Sequence, residues 1–355
     1  MMAGLRARYD AFLGRGAAAV TIPAMDGALR ANRRLDDGEV LRVADAPDNL
    51  VATAAGVLYS SGDTVFRLSP GNPSDDVAAA FDAPVTCLAA DAGGTLAVGL
   101  DDGRVLLHGA SGPALLQSGG TCPTALAFDG GSLVVAHGSA AHPPSRWRHD
   151  LMERGASGSV WRVGLDGGAS TCLARDLAWP CGVLVEADGG VVVSESWRHR
   201  LLRLGARPAV LLDDLPGYPG RIVPAADGAW LAVFAPRSQM VEFVLREPGY
   251  RRRMMQEIQE DYWMAPALVS GRSFLEPLQG GGVKHMATLN SWAPTRSYGL
   301  VVRLDGTFEP LGSWHSRADG LRHGVTSVVE HGGALLVASK GGNAILSVDP
   351  MAVDQ

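Results

Sequence analysis

The residues best suited to chemistry are Asp48, Asn49, His137, Cys181, Glu195, Arg221, His323, Thr326 and Lys340. Cys181, with His137 or His323 and Glu195, would supply a nucleophile, a general base and an orienting acid, the set that acyl transfer needs. The thiol would need a lowered pKa, and Arg221 could provide the positive field. Arg221 could instead clamp a substrate carboxylate through two parallel hydrogen bonds, or pair with Asp48 or Glu195 across a channel. Lys340 could form a Schiff base if desolvated, or remain solvated at a mouth. Asp48, Asn49 and Thr326 offer polar contacts to a substrate. Asp48 and Asn49 are also weak candidates for metal ligands, since hard cations take oxygen donors. Each residue has a plainer role open to it. Cys181 could be a small filler at a strand start, and either histidine a hydrogen-bonded structural group. Glu195 could pair with Arg198 or Arg200.

These residues matter together because a repeat places them together. One unit recurs: a turn, often with proline, an apolar strand, a D/G-rich turn, and a second, more apolar strand. Its copies start at Pro47, Pro84, Pro123, Pro180, Pro219 and His323, with turn glycines at Gly56, Gly93, Gly189, Gly228 and Gly332 in all but the third. A further strand pair follows each copy, which makes a four-stranded propeller blade. A plain blade takes roughly 40 residues, so the long third and fifth intervals carry insertions, at about 138–157 and 237–297. The fold predicted is an all-β, six-bladed propeller over 38–355, with 1–37 as an N-terminal extension. The segment Gly38 to Val43 would close the ring against the last blade, removing an open sheet edge.

In such a ring, the first residues of each innermost strand and the last residues of the second strand share one mouth. Asp48, Asn49, Thr86, Thr124, Cys181, Arg221, Gly324 and Thr326 fall in the first group. Ser60, Ser61, His137, Glu195, Ser196 and Lys340 fall in the second. Both insertions join second to third strands, so both lie over that mouth, where long loops are usually functional. Residues 247–263 (EPGYRRRMMQEIQEDYW) predict an amphipathic helix, with Tyr250, Met254, Met255 and Ile258 on one face. That helix could be part of a lid, a packed surface helix, a membrane-surface element or an oligomer contact. Arg272, Glu276, Lys284, His285, Trp292 and Arg296 follow it.

Composition agrees. There are 45 glycines, nearly twice the usual share of ~7%, as many tight turns require. The 31 basic and 37 acidic residues give a net charge of -6, with no general pull toward nucleic acid. Lys284 and Lys340 are the only lysines in the sequence. Cys87, Cys122, Cys172 and Cys181 form no CxxC pair, which argues against structural zinc. No apolar run is long enough for a transmembrane helix, and Arg15 interrupts the apolar start, so no signal peptide is expected and the protein reads as cytoplasmic with free thiols. GxxxxGK[ST], GxSxG and HExxH are absent.

Several stretches resemble the strictosidine synthase-like proteins: GSVWRV (158–163), PCGVLVEADG (180–189), VVSESWRHRLLR (192–203), LPGYPGRI (215–222), YGLVVRLD (298–305) and TSVVEHGGALLVAS (326–339). The resemblance covers about 150–355 well and the first half weakly. It implies a six-bladed propeller, related to the senescence marker protein/gluconolactonase and paraoxonase hydrolases. Related lactonases hold a divalent metal through a first-blade acid, an Asn in an N-G pair and an Asp after a Pro. Here those positions read Asp48, Cys181-Gly182 and Pro219-Gly220, the last followed by Arg221. Calcium is therefore a minor expectation, and no cofactor is the main one. True strictosidine synthases use a last-blade Glu with a nearby His; these positions fall on Thr326 and Gly324, so Pictet–Spengler condensation is not expected. The expected function is hydrolysis of a small-molecule ester or lactone in the channel mouth. The alternative is a non-catalytic ligand-binding or protein-interaction propeller with a degenerate metal site.

Overall fold

The computed structural model describes residues 22–109, 112–166, 170–277, 284–285, 288–290 and 295–351. It is a six-bladed β-propeller, and every blade is a four-stranded antiparallel sheet. The innermost strands are Asp48–Thr53, Val85–Ala90, Pro123–Asp129, Pro180–Val185, Gly217–Pro224 and Val325–His331, for blades 1 to 6. The outermost strand of blade 6 is Glu39–Val43, which pairs antiparallel with Ala344–Val348. The N-terminal part of the ring thus completes its C-terminal blade.

Why these segments are strands is clearest in the second position of each blade. Leu96–Leu100 (LAVGL) and Val191–Glu195 (VVVSE) are buried along their whole length. A short, continuous apolar run bounded by turns suits a strand covered on both faces, here by the neighbouring blades. The core accordingly lies between blades rather than in the channel. Between blades 5 and 6, Trp230 and Trp314 meet edge to face at 5.0 Å, and Trp230 Nε1 donates to Glu330 Oε1 at 2.6 Å. Gly228 shows why the turns need glycine. Its φ is +80°, and a Cβ there would sit 2.3 Å from the backbone of Asp305. In blade 2 the left-handed turn residue is Gly94, not the expected Gly93.

Ahead of the ring, Leu35 is fully buried beside Trp314 and Val348, and Leu35 N–H donates to His315 O at 3.1 Å. Both insertions join second to third strands, in blades 3 and 5. The first carries helix α1 (Trp147–Glu153). The second carries α2 (Gln239–Arg246) and α3 (Pro248–Glu257). This corrects the expected single helix over 247–263. Ile258 is already extended, and only a short turn at Glu260–Tyr262 follows. Met254 is buried, whereas Tyr250 and Ile258 are exposed, so the expected apolar face is only partly covered. The α2 helix was not anticipated; its signal was Ser238, whose hydroxyl accepts from Val241 N–H as an N-cap. Arg296 is buried and donates to the carbonyls of Ala265 and Asp261, pinning this insertion to itself. Trp292 lies outside the described residues, and Lys284 and His285 are described only as members of a short strand. No helix among the described residues is long and apolar enough to cross a membrane.

Candidate active site at the channel mouth

Polar groups around the mouth hold neighbouring blades to one another. Asn49 Nδ2 donates to Val85 O, Thr86 Oγ1 to Pro123 O, and Thr124 Oγ1 to Pro180 O. Ser194 Oγ donates to Gly220 O, and Leu50 N–H to Ser327 Oγ. Each bond links one blade to the next, and between blades 5 and 6 the link is Arg221 Nη1 to Thr326 O, at 3.0 Å. Much of the polar ring at the mouth is thus already used in holding the blades.

At its centre three charges meet. Asp48 Oδ1 accepts from Arg221 Nη1 at 2.8 Å and from Asn49 N–H at 2.8 Å. Asp48 Oδ2 accepts from Lys340 Nζ at 2.9 Å. Arg221 Nη2 donates to Thr86 O. Asp48 is buried, and burial alone would raise its pKa. The adjacent Arg221 and Lys340 outweigh burial and hold the carboxyl at about 2. Asp48 is therefore ionised at any ordinary pH, with two cations against its one charge. Lys340 keeps a third of its side chain exposed, and one of its three donors is committed to Asp48.

Above these charges lies a pocket of about 340 Å³. Asp48, Thr86, Thr124, Cys181, Arg221, Thr326 and Lys340 line it. Its walls are Trp147, Trp179, Phe234 and Leu268, which position alone did not single out. Trp179 packs face to face with Trp197 at 5.2 Å, and Trp147 meets Phe234 edge-on at 5.6 Å. These contacts fix the aromatic planes from behind. Trp147 comes from α1, so the blade 3 insertion does reach the mouth. Asp101 also lines the pocket, directly after the second strand of blade 2. That is the strand-end position at which Lys340 was identified, so the same rule could have found it.

The expected Cys181–histidine–Glu195 set does not form. His137 is buried away from the pocket lining; its Nε2 donates to Ser118 O at 2.8 Å, and its Nδ1 accepts from Cys122 N–H. His323 Nε2 donates to Arg317 O at 2.7 Å, and its Nδ1 accepts from Ser297 Oγ at 2.8 Å. Burial lowers the pKa of both rings. Glu195 is fully buried, accepting from Ala178 N–H, Arg198 and Arg200. Asn49 is buried under the mouth, bonded to Ser60 Oγ at 2.7 Å. Cys181 does face the pocket, but burial raises its thiol pKa more than Arg221 lowers it.

Nor does the donor set fit a divalent metal. Calcium takes six or more oxygens. Here Asp48 already serves two cations, and Cys181 replaces an oxygen donor with a neutral thiol. Among the described residues, no group of three or more His, Cys, Asp or Glu side chains could hold a metal ion.

No family model matches the sequence, and no curated protein matches it. Solved structures do match the fold. A gluconolactonase from Xanthomonas campestris aligns with a TM-score of 0.54 at 14% identity, over 89% of this chain and 91% of that one. A calcium-binding protein, regucalcin, from Agrobacterium tumefaciens aligns with a TM-score of 0.52 at 15% identity, over 88% of this chain and 92% of that one. At such identities the likeness is one of architecture. In fold, then, this chain is a six-bladed propeller like those of gluconolactonase and regucalcin.

Proposed function

We propose that the mouth pocket takes a small molecule bearing an ester, lactone or carboxylate group, and that the chain hydrolyses an ester or lactone there without a divalent metal. The observation that carries this reading is the Lys340 ammonium, exposed at the base of an aromatic-walled pocket and anchored by Asp48. A carbonyl oxygen on Lys340 would gain negative charge as hydroxide from solvent adds to its carbon. A fixed cation in a partly dry site favours that oxyanion over the ground state. The apolar body of the molecule would pack on Trp147, Trp179 and Phe234. The gluconolactonase fold likeness and the resemblance to strictosidine synthase-like proteins agree with a small-molecule enzyme. Thr326 and Gly324 stand where that family would place its Glu and His, which argues against Pictet–Spengler condensation.

A second reading is ligand binding without chemistry. It is favoured by the pocket lining itself: Asp48 is too weak a base, Cys181 holds its proton, and neither His137 nor His323 lines the pocket. A panel of aryl and alkyl esters and lactones, followed by pH-stat with and without EDTA, separates the readings. Turnover that survives EDTA and falls at least about tenfold in Lys340→Met supports hydrolysis. Saturable quenching of tryptophan fluorescence by the matching carboxylates, with no turnover of any panel member, supports binding alone. Turnover abolished by EDTA would reject the metal-free site.

A further inference from the structure

We infer that Arg221 is the channel's built-in cation: its guanidinium gathers oxygens from three other blades, as an axial metal ion would, and closes the passage between two compartments. The side chain rises from blade 5. It meets the Asp48 carboxylate of blade 1 at 2.8 Å, the Thr86 carbonyl of blade 2, and the Thr326 carbonyl of blade 6 at 3.0 Å. Its side chain is only 15% exposed.

Arg221 also lines both cavities on the axis. The upper one is the pocket of about 340 Å³, and the lower one holds about 600 Å³. A guanidinium is planar, permanently charged and rich in donors, so it can satisfy carbonyls and a carboxylate at once. A dication entering here would lose on two counts. It would meet two resident cations, and it would have to break the Asp48 pairs to obtain an oxygen. The position that related lactonases give to a metal is thus taken here by a side chain.

The test uses the full-length protein and reads thermal stability and calorimetry, not activity. For the wild type, addition of calcium or EDTA shifts the Tm by less than about 1 °C, and calcium titration gives no binding tighter than about 1 mM. Arg221→Ala lowers the Tm, and methylguanidinium at millimolar concentration restores at least about 2 °C of it, whereas tetramethylammonium does not. Asp48→Asn combined with Arg221→Ala removes that restoration. Calcium binding by the wild type overturns the inference. So does an Arg221→Ala protein that folds and ignores methylguanidinium. If Arg221→Ala does not fold, Arg221→Lys serves. A lysine cannot span three oxygens in one plane, so the inference expects this variant to lose Tm as well, and an Arg221→Lys protein within about 1 °C of the wild type overturns it.

Discussion

The two halves of the channel are built from the same six strands, yet they differ in kind. Above Arg221, the strand starts bring Asp48, Thr86 and Thr326 to the axis, Lys340 joins from a second strand, and α1 adds Trp147. Below Arg221, the same strands line the cavity with residues such as Leu50, Leu88, Ala127 and Val185, and Glu330 is tied to Trp230. The lower half is the larger of the two, about 600 Å³ against about 340 Å³. Size therefore does not mark the site; convergent charge and a fixed aromatic wall do. The reason lies in connectivity. On the lower side each pair of inner strands is joined by a short turn, which leaves no room for new residues. On the upper side the second strand leads into a loop that tolerates insertion, and both insertions lie there.

The contrast can be tested where the upper half is most tightly built. Glu195 terminates a buried strand, and Ala178 N–H, Arg198 and Arg200 all depend on it. Glu195→Ala should cost about 2 kcal/mol of unfolding free energy, read by urea denaturation, because it leaves the buried Ala178 N–H without an acceptor, while the partly exposed Arg198 and Arg200 can turn to water. A loss under about 1 kcal/mol would mean that the upper rim is no more rigid than the lower.

Acid should separate scaffold from site. Burial lowers the pKa of His137, His199 and His323 below 6.5, and that of His315 to about 3. A histidine with a depressed folded pKa contributes stability that is complete above its unfolded value. That contribution is lost as pH falls toward the folded value, at up to about 1.4 kcal/mol per pH unit for each group. Asp48 contributes in the same sense but lower down, between its ordinary pKa near 4 and about 2. Stability should therefore decline steadily below pH 6.5, while ligand affinity stays flat to pH 5. An affinity that follows the histidine titration would show that one of them serves the pocket after all.

The smallest effects discriminate the two halves directly. Lys340→Met should weaken a carboxylate ligand by about tenfold while changing stability by no more than about 1 kcal/mol, since its ion pair is partly exposed. Val185→Ala, in the lower half, should leave affinity unchanged. Equal losses from the two variants would place the ligand across both halves.

The ring was legible because propellers repeat. Six phased copies, their turn glycines and the closing segment near Gly38 to Val43 follow from local rules of strand and turn, which act on neighbours in sequence. Legible too was which residues share the mouth, since strand direction decides it; Asp48, Cys181, Arg221, Thr326 and Lys340 do meet there. What strand direction does not decide is where a side chain turns at the strand's end. His137 and Glu195 are the last residues of their second strands, one position before the residue that matches Lys340, and they turn into the protein, toward Ser118 O and toward Arg198 and Arg200. The aromatic wall was illegible for a related reason, because Trp147 and Trp179 reach the pocket only through packing against Phe234 and Trp197. The sequence by itself determined the blades, their order and the face that carries the charges. Only the tertiary structure decided that Arg221 joins Asp48 rather than Glu195, because that pairing spans the channel and depends on the closed ring bringing blades 5 and 1 together.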